Sequence, residues 1–460
     1  MHRIRIALWA GCALLNGGML WAQTDPGPRP GPPAAGRPLP GLTPTELATF
    51  QAGAQRFQTT DSVSTGLGPR FNLNSCASCH SQPAFGGSSP SLHSPQNPQP
   101  NPQIAVATLA GAANTVPSFV QPDGPVLAAR FVNHPDGTPD GSVHSLYVIS
   151  GRTDAGSCAI AQPDFATALA QNNVIFRISV PLFGAGLVEA ITDGAILANK
   201  GANAAAKTAL GISGRENRSA NDATITRFGW KAQNKSLEIF AGEAYNVEIG
   251  VTNELFPTER DPDPSCALNP LPEDQTDFTA ATPVAGMSDI QAFSAFMRWL
   301  APPAPQGAPP PPPPNGAPPP PPQGAPPPPN NPSIANGQNV FNQIGCALCH
   351  TPVLTTGTTT SAALSNQPVP LYSDLLIHHM GAGLADGVSQ GLAGGDEFRS
   401  APLWGLGQRV YLLHDGRTVD LTQAIAAHAS TGSEATAVVG AFQSLPASAV
   451  QDLLNFLRSL

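Results

Sequence analysis

The chain has 460 residues, 52 of them proline, only 12% charged residues and a formal net charge of −9. That length allows two or three domains, and the charged share is about half of the usual ~25%. An acidic chain without a lysine or arginine cluster excludes nucleic acid and anionic membrane surfaces as partners.

The chain opens Met1-His2-Arg3-Ile4-Arg5, followed by an apolar run from Ile6 to Trp21 and then Ala22-Gln23. A basic start, a short apolar run and a small residue predict a secretory signal over residues 1–22, hence a periplasmic protein. Asn16, Gly17 and Gly18 interrupt a run already short for a membrane span. Cys12 comes after too few apolar residues for a good lipid-anchor site. Residues 23–41, rich in proline and glycine, read as a flexible tether. Thr43-Pro44-Thr45-Glu46 then opens a helix to about Phe57, with Thr43 as cap and Glu46 completing a capping box.

The first motif follows, Cys76-Ala77-Ser78-Cys79-His80, and a second stands at Cys346-Ala347-Leu348-Cys349-His350. C-x-x-C-H places two thiols on one helical turn, where both can bond to the vinyl groups of one haem, and the adjacent histidine can ligate its iron. Zinc would need four ligands around one metal, and a redox pair has no use for the histidine. Two such motifs predict two covalently bound c-type haems, with His80 and His350 as proximal ligands. Four of the seven cysteines are thereby assigned, and Cys12 leaves with the signal. Cys158 and Cys266 remain as an even pair in an oxidising compartment, which predicts a disulfide.

Residues 83–103, rich in Gly, Ser, Pro and Asn, read as a surface loop. Short alternating segments (Val126 to Phe131, Ser145 to Ile149, Val174 to Val180) and two or three helices occupy residues 104–260. Ser288 to Leu300 is a capped amphipathic helix with Ile290, Phe293, Phe296, Met297 and Leu300 on one stripe. Residues 301–332 are dominated by proline and form an extended, semi-rigid linker. The pattern then restarts. Gly337 and Phe341 repeat the spacing of Gly53 and Phe57, and Ser448 to Leu460 repeats Ser288 to Leu300. This is an internal duplication, with a first domain over 42–300 and a second over 333–460.

Several further segments resemble the di-haem cytochrome c peroxidase superfamily, most closely its di-haem oxidoreductase (thiol oxidoreductase-like) branch. They are Gly68-Pro69-x-Phe71-Asn72-x-x-Ser75-Cys76, Gly184 to Ala190, Gly211 to Arg215, Arg227 to Ala232, Leu371 to Leu376, Arg399 to Gly407 and His414 to Arg417. The resemblance implies a mainly α fold: two cytochrome-c-like helical domains, the first enlarged by short β segments, with their haems facing a shared interface. It implies peroxide-type chemistry at the N-terminal haem, electrons supplied by the C-terminal haem, and a small cytochrome or cupredoxin as donor. Two alternatives stay open: a non-catalytic electron carrier, and oxidation of a protein or organic substrate through high-valent iron.

The resemblance also carries roles onto single residues. His428 lies where the peroxidases place the methionine ligand of their electron-transferring haem, and His378, His379 and Met380 form a rival cluster for the same position. Trp230 matches the tryptophan between the haems, and Glu248 matches the acid/base that moves a proton during O–O cleavage. Glu248 stands two residues early, however, and Phe240 occupies the place of a polar glutamine. Glu189 and Glu243 are fallback acids. His93, His134 and His144 are expected in solvent.

Overall fold

The computed structural model describes residues 24–30, 35–261, 263–306 and 331–460. The expected signal with Cys12 and most of the proline linker lie outside the described residues. The chain is mainly helical, with one three-stranded and three two-stranded antiparallel sheets among the described residues.

The helix Pro44–Gln58 starts at the expected box: Glu46 N–H donates to Thr43 Oγ1 at 3.3 Å and Thr43 N–H donates to Glu46 Oε2 at 2.7 Å. It packs against the helix Asp289–Trp299, stacking Phe57 and Phe50 on Phe296 with ring centroids 4.7 and 5.5 Å apart. Arg56 joins the two helices, donating to Asp289 at 2.5 and 2.6 Å and to Asp61 at 2.7 Å. The second half repeats this plan. Helix Pro332–Gln343 packs on Ala447–Ser459, with Phe341 against Phe456 at 5.5 Å. One detail of the repeat differs: the last helix begins behind Pro446, so Ser448 lies inside it and does not cap it as Ser288 caps its counterpart.

The repeated glycines have a packing reason. A Cβ on Gly53 would overlap the Ala292 carbonyl, and one on Gly337 would overlap that of Asp452. Each helix pair therefore crosses at backbone contact, which only glycine permits.

Between the first pair, Ala128–Phe131 is the central strand of the larger sheet, with Val143–His144 on one side and Val174–Arg177 on the other. Cys158 is disulfide-bonded to Cys266 across 108 residues. The two halves meet at a buried charge cluster. Arg177 donates to Asp386 at 2.5 and 3.0 Å, and the fully buried Lys231 ammonium lies 3.1 Å from the other oxygen of Asp386.

Two stretches differ from expectation. Residues 83–103 hold no regular strand but are not a free surface loop, because Ser88, Ser89, Ser91 and Ser94 are buried. Their hydroxyls find partners, including Ser91 to Tyr411 at 3.1 Å and Ser94 to Gln82 at 2.7 Å, so a polar composition is compatible with burial here. Residues 24–30 and 35–41, expected as part of a tether, lie against the body. Asp25 pairs with the buried Arg458 at 2.6 Å, and Leu39 is buried with its N–H on Trp299 O. No helix among the described residues is long and apolar enough to cross a membrane.

Gly53→Ala and Gly337→Ala should each destabilise the protein by about 1–3 kcal/mol through overpacking, read as a lowered urea midpoint. Gly440→Ala, where a Cβ meets nothing within 4 Å, should leave it unchanged or raise it.

Candidate functional site

Each C-x-x-C-H motif opens onto its own cavity. The N-terminal one, ≈1200 Å³, contains Cys76, Cys79 and His80 among Phe57, Leu73, Val126, Leu182, Phe293 and Met297. The C-terminal one contains Cys346, Cys349 and His350 among Phe341, Leu406, Leu412, Leu453 and Leu457. The first motif forms one short helix, Cys76–Cys79, whose cap is Ser75: its Oγ accepts from Ser78 N–H at 3.2 Å. The second is a 3₁₀ turn entered through Gly345 at φ +101°, a backbone angle suited to glycine. Burial pushes the Cys76 and Cys346 thiols up to about 12, so both are protonated at neutral pH. Among the described residues no group of three His, Cys, Asp or Glu side chains could hold a metal ion by itself.

The two motif histidines are set up identically. His80 Nδ1 lies 2.9 Å from Gly87 O, and His350 Nδ1 lies 3.0 Å from Tyr372 O. A carbonyl can only accept, so Nδ1 carries the proton and Nε2 keeps its lone pair, as a metal-ligating imidazole requires. Burial lowers both to about 4 and keeps the rings neutral, the nearby His428 adding to the effect at His350.

His428 closes the helix Leu421–Ala427 and lines the same cavity as His350. Its Nδ1 donates to Ala424 O at 2.7 Å, which again leaves Nε2 free, and burial lowers its pKa. Met380 lines this cavity as well. His378 also lines it, but both of its nitrogens are held, by Glu434 at 2.8 Å and Asp374 at 3.0 Å. His379 is exposed and faces Asp396 and Glu397. Of the expected solvent histidines, His93 and His134 are exposed, whereas His144 is half-buried, stacked on Phe131 at 3.8 Å and bonded to Asp140 at 2.7 Å.

Trp230 lines both cavities and the small gap between them. Its indole N–H donates to Ile178 O at 2.8 Å, fixing the ring in the dividing wall. His414 lies edge-on to it with centroids 6.4 Å apart and stacks on Phe398 at 4.3 Å. Glu248 and Glu243 face the N-terminal cavity, as does Phe240, which stacks on Phe228. Glu248 sits on the π-turn Tyr245–Ile249, accepts from Asn72 Nδ2 at 2.6 Å, and is held above the usual carboxylate range by burial. Glu189 lies outside this lining, where it accepts from Leu237 N–H and Arg298.

Four polar residues were not singled out by the sequence. Gln233 and Arg130 line the N-terminal cavity. Arg399 and Arg409 line the C-terminal cavity and the gap behind Trp230, and burial lowers each to about 10. Neither has a carboxylate partner among the described residues. Buried guanidinium without an anion is costly, and a haem brings two propionates. Paired thiols, a neutral imidazole, apolar walls and unpaired arginines fit that group. Arg399 could have been suspected, since it begins one of the family-like segments.

Two apolar cavities, each ending in the same thiol–thiol–imidazole triplet and sharing one indole wall, define a two-centre redox protein. The family described as "Di-haem oxidoreductase, putative peroxidase" matches residues 131–280 and 328–460, and the chain belongs to it, and so to a class of enzymes that work with two haems. No curated protein matches the chain. Among solved structures it is similar to a xenon-pressurised hydrazine synthase of Kuenenia stuttgartiensis (16% identity, TM-score 0.23, 39% of this chain and 56% of that one). It is also similar to a MauG-like protein associated with microbial copper homeostasis (18%, 0.24, 39% and 55%). The chain thus spans just over half the length of these structures.

The raised Glu248 pKa has a consequence for stability. Folding then favours the protonated acid, so its contribution is whole below the unfolded value near 4.5 and is lost as pH rises through the folded value. Glu248→Gln, which keeps an acceptor for Asn72, should therefore gain stability relative to the parent as pH rises above about 4.5, measured by urea melts of the holoprotein across pH.

Proposed function

We propose that this chain is a periplasmic di-haem oxidoreductase of the peroxidase type, built as two cytochrome-c-like domains on either side of a polyproline linker. Cys76 and Cys79, and Cys346 and Cys349, would hold the two haems, and His80 and His350 would ligate their irons. When bound, they supply the electron-transfer chemistry, with peroxide reduced at the N-terminal centre and electrons provided by the C-terminal one.

The observation that carries this reading is the asymmetry of the two cavities around one shared tryptophan. The C-terminal cavity offers a second imidazole with its Nε2 free, His428, with Met380 as the other lining candidate. That suits a six-coordinate centre which only passes electrons. The N-terminal cavity has no second histidine among the described residues and carries Glu248 in its place. Burial raises the Glu248 pKa above the ordinary range, which suits a side chain that accepts and returns a proton beside the reacting oxygen. Asn72 fixes its orientation. Trp230, anchored to Ile178 O, occupies the wall that separates the two centres. A small soluble donor protein, either a cytochrome or a cupredoxin, would deliver electrons to the C-terminal half.

Phe240 favours a second reading, a di-haem electron carrier, because it removes a hydrogen-bonding group from the N-terminal cavity. EPR and absorption spectra of the holoprotein, oxidised and half-reduced, separate the two. A high-spin ferric signal, or one that appears on half-reduction and is lost with peroxide, is expected here. Two low-spin signals indifferent to peroxide in every redox state would replace the enzyme by the carrier. Glu248→Gln should lower peroxide turnover by about 10²–10⁴-fold while leaving the C-terminal signal untouched.

A further inference from the structure

Behind the N-terminal cavity lies a second, solvent-open cavity of ≈670 Å³ with a mixed polar and apolar lining. The two share walls. On the central strand Arg130 faces the first cavity and its neighbour Phe131 faces the second, as alternation along a strand dictates. On the π-turn Tyr245–Ile249, Val247 and Glu248 line the first and Asn246 lines the second.

The lining carries two arginines and two acids. Arg70 is neutralised by Asp261 at 2.7 Å. Arg260 has no carboxylate within ion-pair distance among the described residues, and its guanidinium donates to Val143 O; Glu248 and Glu259 act on it only through space, without a direct contact. The cavity's acids are Asp164, which is spent capping the helix Phe165–Ala170, and Glu259. Glu259 is pushed up to about 7 by burial, with Glu273 and Asp261 adding to the effect, so it is only partly charged near neutral pH. The same lining includes Thr258 and a flat aromatic surface, His144 stacked on Phe131 at 15° between ring planes.

We propose that this cavity binds a small organic carboxylate, its charge on Arg260 and its planar apolar body on the Phe131–His144 stack. An unpaired guanidinium asks for an anion, and the aromatic surface beside it distinguishes an organic anion from an inorganic one. The bound carboxylate lies across one turn from Glu248, on the far side of the wall of the N-terminal cavity. The site stands whichever reaction the haems perform.

The test is calorimetric titration of the holoprotein with benzoate, with benzamide as its neutral counterpart and with inorganic phosphate. Saturable benzoate binding, absent with benzamide and not displaced by equimolar phosphate, is expected. Arg260→Gln should weaken it by at least about tenfold, the scale of one charge-assisted hydrogen bond. Glu259→Gln removes a competing internal acid and should leave binding as tight or tighter, an outcome that misfolding cannot imitate. Benzoate heats matching those of benzamide, or an affinity unchanged by Arg260→Gln in a protein with parental haem absorption, would overturn the site. Displacement by equimolar phosphate would overturn its organic character.

Discussion

The contact on which the rest of this molecule depends is the buried carboxylate of Asp386, gripped from the other half by Arg177 and Lys231. Lys231 is fully buried, and its remaining protons go to the carbonyls of Gly394 and Glu397. Its ammonium also lies 4.1 Å over the ring of Phe398, which stacks on His414, which in turn touches Trp230 edge-on. Charges this deep are expensive to desolvate and lose several kcal/mol when one partner is removed. The cluster therefore holds the halves in one register, and that register places a single indole in the wall of both cavities. Lys231 adjoins Trp230 in sequence, so the seam and the shared wall are fixed by one short segment.

The duplication was legible because it is enforced by packing. A glycine at the helix crossing and a phenylalanine one turn later recur at 53 and 57 and at 337 and 341, where backbone contact admits nothing larger. The C-x-x-C-H motifs were legible for a similar reason: their chemistry depends on spacing within one turn. What remained hidden depends on the meeting of distant segments. Arg399 and Arg409 look like ordinary surface cations until burial removes them from any acid. The serines at 88–94 read as loop residues, because composition does not disclose that Tyr411 comes down on Ser91. Arg130 and Phe131 divide between two cavities only once their strand is paired on both sides.

The repeat preserves a scaffold while the chemistry diverges. Both halves keep a crossed helix pair, two thiols and an imidazole tied to a backbone carbonyl. The N-terminal half adds the sheet, the Cys158–Cys266 disulfide and the π-turn that carries Glu248. The C-terminal half adds the helix ending in His428. The extra length of the first half is thus the part that brings Glu243 and Glu248 to its cavity.

Hydrogen-bond partners sort the buried histidines where sequence spacing could not. His80, His350 and His428 each give Nδ1–H to a carbonyl and keep Nε2 open, which makes them competent iron ligands. His378, buried in the same cavity as His428, is clasped by two carboxylates, which raise its proton affinity and occupy both nitrogens. It can support the wall but has no lone pair to offer. The choice of carbonyl over carboxylate matters beyond orientation. A carboxylate partner raises the basicity of a ligating imidazole, whereas a neutral carbonyl fixes the tautomer with less charge donation. All three imidazoles are given the weaker partner, and the two cavities differ in what else lines them: the His428 imidazole in one and the Glu248 carboxyl in the other.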